Sequence, residues 1–371
     1  MKETLEAHPA QVELAKRFSS VTLLGPPMGE KLVRLVAHLF SPEEAELARH
    51  LPAYYPRPLL KIAQKAGRRP EEIEPLLEAL ARRRVIYGGA RGYSLLPLIP
   101  GMFEYMLMDG RDSDWHRQYA RLLTDLFSTG YVRNYNTRSL PAVRNIPVQS
   151  VIENQSRVLD ADRMEEMIDR HQIMAVLKVC QCRQSLHFLG HECKRSSPQD
   201  GCLVFGSFAR DTEAGGNGRL VSKPEMREIV TERWDKKLVF LTGNVAPASP
   251  NAICTCCDCC CHFLETVNHY QGKALVAASH FLARVDETLC NHCGKCAPVC
   301  NTYAHTFADK QHAFDISKCI GCGICLGSCK PQAIALVENP AYQPPAQGFG
   351  RLGLRLFPGG VLSALQARRA K

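Results

Sequence analysis

Cysteine is the residue type in this sequence with the most chemistry to offer. The 371-residue chain carries 18 of them, none before Cys180 and none after Cys329. Cys290-x2-Cys293-x2-Cys296-x3-Cys300 recurs 29 residues later as Cys319-x2-Cys322-x2-Cys325-x3-Cys329. An aspartate stands four residues before each block, Asp286 and Asp315, so the flanks repeat with the cysteines. The other ten are Cys180, Cys182, Cys193 and Cys202, followed by Cys254, Cys256, Cys257, Cys259, Cys260 and Cys261, six within eight residues. The opening residues Met1 to Glu6 lack the charged-then-apolar layout of a secretory signal, and no stretch approaches the roughly 20 apolar residues of a membrane span. A cytoplasmic location is therefore expected, and disulfide staples are not, because thiols stay reduced there. Exposed free thiols at this density would oxidise, so the pattern points to thiolates occupied by metal.

The duplicated block resembles the bacterial two-cluster ferredoxin domain. That resemblance implies two [4Fe–4S] clusters, each taking three cysteines from one C-x2-C-x2-C run and the fourth from the other half. The ligand sets are then Cys290, Cys293, Cys296 and Cys329 for one cluster, and Cys319, Cys322, Cys325 and Cys300 for the other. Gly294, Gly321 and Gly323 would let backbone amides approach the cluster. Zinc sites use four ligands in two pairs, which this interlocked double set is not. Two positions depart from the family pattern: Asn301 follows Cys300 where proline is usual, and Lys330 displaces Pro331 by one.

The upstream cysteines, Cys180 to Arg183, Gly190 to Cys193, Cys202 to Gly206, Gly243-Asn244 and Ile253 to Cys261, resemble a cysteine-rich module that accompanies ferredoxin domains in uncharacterised 4Fe–4S dicluster proteins of anaerobic bacteria. Thr255 replaces the usual asparagine. The resemblance implies one or two further iron–sulfur clusters. Cys180, Cys182, Cys193 and Cys202 are a candidate third set. The six-cysteine loop is too short for all six to bind one cubane, so it would share ligands with that set or hold a fourth cluster. Zinc and a redox-active thiol or disulfide are the alternatives for this module. His187, His191 and His262 could be ligands or solvated neighbours, and Arg183 could neutralise an anionic cluster or make a surface salt bridge.

The elements positioning these residues read as an α+β multidomain protein: an amino-terminal arm (1–29), a winged-helix-like helical domain (30–130), a linker (131–159), a mixed α/β cysteine-rich module (160–284), a ferredoxin-like βαββαβ domain (285–339) and a basic tail (340–371). Helical periodicity over Glu30–Phe40, Pro58–Ala66 and Glu71–Arg84, then a hairpin around residues 88–92, gives the winged-helix order, which resembles bacterial regulators. DNA reading through the helix Glu71–Arg84, with Arg91 in the wing, is disfavoured. Glu71, Glu72 and Glu74 crowd the end that would enter the groove, and Arg82, Arg83 and Arg84 lie at the other end. Tyr131 to Pro147 reads as extended linker, Asp160–His171 as helix and Ile173–Val179 as the strand leading into Cys180. The tail could end in a short basic amphipathic helix that docks a partner or a membrane surface. No phosphate loop, dinucleotide fingerprint or nucleophile elbow is present.

The formal charge of +9 invites a nucleic-acid reading. An oxidised [4Fe–4S] centre with four thiolates carries about −2, so two would lower the total to about +5 and four to about +1. The expectation is an electron-transfer protein, or a subunit of an oxidoreductase, serving a redox partner or larger complex. The alternatives are an oxidoreductase with its own substrate-binding cluster or thiolate at 180–261, and a redox-sensing winged-helix regulator.

Overall fold

The helices of the amino-terminal unit begin and end where the sequence supplies caps. The computed structural model describes residues 7–23, 25–129, 141–147, 164–248, 251–269 and 275–369. The chain forms two compact units, Met1–Tyr135 with Gly360–Lys371, and Asn136–Gly359. The first contains α1 (Pro9–Phe18), α2 (Glu30–Leu39), α3 (Pro42–Ala48), α4 (Leu59–Ala66), α5 (Pro70–Arg82), the hairpin β1 (Ile86–Gly89) and β2 (Gly92–Leu95), a single turn α6 (Phe103–Tyr105) and α7 (Asp114–Phe127). Ser41 and Glu44 cap α3 reciprocally, and Gly67 at φ 64° ends α4 in the left-handed region. Within the expected arm, α1 is not free: its Leu14, Ala15 and Phe18 are fully buried, so this helix supplies part of the core. Arg57 adds to the hairpin edge by exchanging backbone hydrogen bonds with Tyr93, 3.0 Å each way. Glu71 and Glu72 occupy the first turn of α5. At its other end Arg83 pairs with Glu44 at 2.9 Å, Arg82 with Glu78 at 3.4 Å, and Arg84 lies 5.7 Å above the Tyr105 ring.

The second unit is organised by a seven-stranded sheet in the order β6-β4-β5-β8-β7-β3-β9. Its strands are β3 (Val143–Ile146), β4 (Met174–Leu177), β5 (Leu203–Phe205), β6 (Gly218–Leu220), β7 (Val239–Gly243), β8 (Ala252–Cys256) and β9 (Val276–Ala277). All neighbours are antiparallel except β3 and β9. β3 corrects the linker expectation. Residues 143–146 pair with β7 over Val143↔Gly243 to Ile146↔Phe240, and Asn145 is fully buried. The remainder of the expected linker, 131–140 and 148–159, lies outside the described residues. On one face of the sheet, α8 (Met164–Arg170) and α11 (Lys223–Asp235) pack Met167, Ile168, Met226 and Val230 against Met174, Phe205 and Phe240. On the other, Leu241, Cys256, Cys261, Leu264, Ile320 and Ile324 form a second core. Three more helices complete this region: α9 (Gln181–His187), α10 (Gly206–Ala214) and α12 (His262–Asn268).

Downstream, the expected βαββαβ order is corrected. β10 (Phe281–Val285) pairs antiparallel with β13 (Ile334–Glu338), and β11 (His305–Ala308) forms a separate hairpin with β12 (Gln311–Phe314). Between them the only helical segments among the described residues are 3-10 turns at Ile316–Lys318 and Leu326–Ser328. The physical reason is local. A cysteine every third residue, with Gly294, Gly321 and Gly323 at φ 71°, 72° and 80°, bends the chain into loops that no α-helix can continue. This segment belongs to the same compact unit as the cysteine-rich module. The tail is one helix, α13 (Phe349–Arg369), rather than a short terminal one. Its Leu352 is buried with Val245 and Ala346. No described helix is long and apolar enough to cross a membrane.

Candidate metal centres

The repeated aspartates open both halves of the duplicated block in the same way. The Asp286 carboxylate accepts the Thr288 amide and the Asp315 carboxylate accepts the Ser317 amide, each at 2.9 Å, forming a turn two residues before the first cysteine. The chain then crosses over as the interlocked ligand sets require. Cys290, Cys293, Cys296 and Cys329 line one cavity, walled by Val285, Pro331 and Ile334. Cys300 lies beside Cys319, Cys322 and Cys325, close enough for their charges to interact. Burial pushes the thiol of Cys296 up to about 11 and that of Cys322 up to about 12. Without metal these thiols keep their protons near pH 7, and a metal bound there would have to displace them. Gly321 shows how closely the second loop is seated. A Cβ there would stand 1.8 Å from the Phe281 carbonyl oxygen, and Asn145 of β3 donates to the Ile320 carbonyl at 3.3 Å.

The ten upstream cysteines sort by position in space, not by order in the chain. β8 alternates, so Cys254 and Cys256 point to one face while Ile253 and Thr255 point to the other. Cys180 and Cys182 at the start of α9, Cys202 before β5 and Cys261 before α12 reach the same place. The six sulfurs form a closed ring, each beside two others: 180–182–261–256–254–202 and back to 180. Donors from Cys182 and Cys202 hold Cys180 well below the usual thiol range, and those from Cys202 and Cys256 bring Cys254 to about 5. At Cys261 burial opposes the charge, but the Cys182 and Cys256 donors overcome it.

Cys193 joins a different group. Its sulfur lies 3.6 Å from that of Cys257 and 3.7 Å from that of Cys259, while the Cys259 and Cys260 sulfurs are 3.6 Å apart. The six-cysteine loop is therefore shared: Cys254, Cys256 and Cys261 go to the ring with Cys180, Cys182 and Cys202, and Cys257, Cys259 and Cys260 go to Cys193.

Arg183 lies between the two groups and is fully buried, not a surface residue. Burial works against its charge, yet the sulfurs of Cys180, Cys257, Cys193 and Cys256 outweigh that and strengthen it. Its guanidinium donates to the carbonyls of Asp200, at 2.9 Å, and of Thr255. Its Nε finds no acceptor among the described residues, which suits a donor aimed at metal-bound sulfur. Behind it Arg233, only 5% exposed, pairs with the Asp200 carboxylate; burial and the like charge of Arg183 bring it down to about 10.

The histidines expected near these loops are engaged elsewhere. His187 pairs with Glu192 and His262 with Glu265, each at 2.9 Å, and His191 is exposed. Two others escaped sequence reasoning. His305 and His312, on β11 and β12, lie 2.9 Å apart, and His312 Nδ1 is 3.7 Å from the Cys290 sulfur. In the hairpin register His305 stands opposite Phe314 and His312 opposite Phe307, so the two rings meet on a diagonal that no sequence spacing marks. Burial and the neighbouring His312 bring His305 down to about 4, and both rings lie with the Cys296 sulfur within 4.8 Å of one another.

A separate cavity of about 900 Å³ adjoins the second ligand set, lined by Lys318, Cys319, Asn339, Tyr342 and Arg355 among others. Compared with protein-family models, curated proteins and solved structures, the chain matches none.

Proposed function

We propose that this protein carries single electrons through two ferredoxin-type [4Fe–4S] centres to or from a further iron–sulfur cluster on the six-thiol ring, and from there to a partner. The observation that carries the reading is that Cys329 lies with the first block and Cys300 beside the second, which is what crossed ligand sets would need. Bound clusters supply one-electron chemistry. The chain's own residues supply ligation, burial and charge. The loops around Gly294 and Gly321 bring backbone close to each site, Ile320 and Ile324 exclude water between the second set and the ring, and Arg183 offsets thiolate charge. No acid–base pair is required, because an electron carrier makes and breaks no bond.

Anaerobically purified protein titrated with dithionite should take up at least about two electrons per chain, one for each ferredoxin-type site, and return them to an oxidised viologen or a carrier protein. Protein that holds its metal but accepts no electrons would contradict the proposal. The cavity beside Cys319 favours a second reading, an oxidoreductase that binds a small substrate next to the second set instead of at 180–261. A small molecule that perturbs the spectrum of that cluster alone would select it.

A further inference from the structure

The four sulfurs of Cys193, Cys257, Cys259 and Cys260 differ in kind from the other thiol groups. All lie within 4.8 Å of one another, and three of the separations are 3.6 to 3.7 Å. A single tetrahedral metal with metal–sulfur bonds of about 2.3 Å places its sulfurs roughly 3.8 Å apart. A cubane holds its four thiolates much wider, because each binds a different iron at a different corner. Cys290, Cys293, Cys296 and Cys329 line a cavity instead, and their four sulfurs are not gathered within 4.8 Å of one another. We propose that Cys193, Cys257, Cys259 and Cys260 form a closed mononuclear tetrathiolate site for zinc, separate from the iron–sulfur centres.

The surroundings fit a structural site. The Lys194 amide donates to the Cys259 sulfur at 3.4 Å, as amides do to metal-bound thiolates. Asp258, between two of the ligands, is buried. Its carboxylate receives Arg195 Nε at 2.8 Å and the Tyr303 hydroxyl at 3.1 Å, and its amide donates to Asn301 at 3.0 Å. Arg195 also reaches the Pro298 carbonyl at 2.9 Å. A metal that fixes this loop therefore fixes the seat on which the ferredoxin-type segment 298–303 rests. With all four positions taken by thiolate there is no open coordination site for substrate, and a redox-silent ion serves such a clamp.

The test is metal analysis of the full-length protein isolated anaerobically, beside Cys193→Ser and Cys260→Ser. The expected result is about one zinc per chain in the unaltered protein, a loss of at least tenfold in zinc in either variant, and unchanged iron and acid-labile sulfide. X-ray absorption at the zinc edge, which needs no variant, should show four sulfurs at about 2.3 Å and no iron neighbour. A chain without zinc, one iron in its place, an iron neighbour in the zinc spectrum, or a loss of about four iron and four sulfide on changing Cys193 would each overturn the assignment. Because zinc and iron are counted separately, failure here leaves the electron-transfer reading to stand or fall on its own titration.

Discussion

Asn301, directly after Cys300, is held by a hydrogen-bond network of its own. Its side chain accepts the Asp258 amide at 3.0 Å and donates to the carbonyls of Lys237 and Val299, at 2.8 and 3.2 Å, while the residue itself is fully buried. Proline could make none of these bonds. Asn301→Leu keeps the branched shape and strands the Asp258 amide and the Lys237 carbonyl, at about 1–3 kcal/mol for each buried group left unpaired. Thermal unfolding should show the Asn301→Leu transition lowered by roughly 4 °C or more. An unchanged transition would mean the network contributes nothing. Arg183 makes the parallel case for charge. Arg183→Met leaves buried thiolates without their counter-charge and two carbonyls without their donor, which should destabilise the unit by about 3–5 kcal/mol. Arg183→Lys should recover only part of the loss, because an ammonium lacks the planar fork that reaches both carbonyls. Chemical denaturation of the three proteins decides the order.

At the scale of elements, Cys329 lines the cavity of Cys290, Cys293 and Cys296, so on the proposed reading the duplicated loops exchange their last ligand and each of two distant cysteines has an address opposite to its position in the chain. Cys329→Ser should impair the centre held by Cys290, Cys293 and Cys296 while sparing the other, and Cys300→Ser should do the reverse. Electron paramagnetic resonance of the reduced variants checks this: each should lose one of two interacting signals and leave a simpler spectrum from the survivor. Loss of the same signal in both variants would show that the ligands do not cross.

The repeat itself was legible in the spacing, and the Asp286 and Asp315 turns repeat with it, whereas the pairing of Cys329 with the first block was an expectation from the resemblance. The elements that carried no such repeat were harder to read. β3 is four residues long and owes its place to pairing with Val239–Gly243, a partner about a hundred positions away, so nothing local in Val143–Ile146 marks it as central. The division of the ten upstream cysteines was hidden for a related reason. It depends on strand alternation in β8 sending Cys254 and Cys256 one way, and on Cys193 meeting a loop 64 positions downstream. α1 was missed because its apolar face, Leu14, Ala15 and Phe18, is short and flanked by charge. The α4 and α5 boundaries were legible from Gly67 and Pro70, which act through local backbone geometry alone.

For the whole molecule, the +9 charge is the property that changes meaning once metal is counted. Several cations are paired within the fold and add nothing to that excess: Arg83 with Glu44, Arg195 with Asp258, Arg233 with Asp200. Buried cations such as Arg183 and Arg233 face sulfur or a carboxylate, not an open surface that could meet phosphate. On this account the positive charge serves mainly to offset thiolate-bound centres, and the central claim is that the two four-cysteine sets hold iron–sulfur cubanes that exchange electrons. Mössbauer spectroscopy of iron-57-enriched protein, isolated anaerobically and paired with a sulfide assay, tests it most directly. The account predicts about eight or more irons per chain in cubane-type spectra, matched by acid-labile sulfide, with those spectra changing when dithionite is added. Iron without sulfide, or cubane spectra that dithionite leaves unchanged, would contradict it.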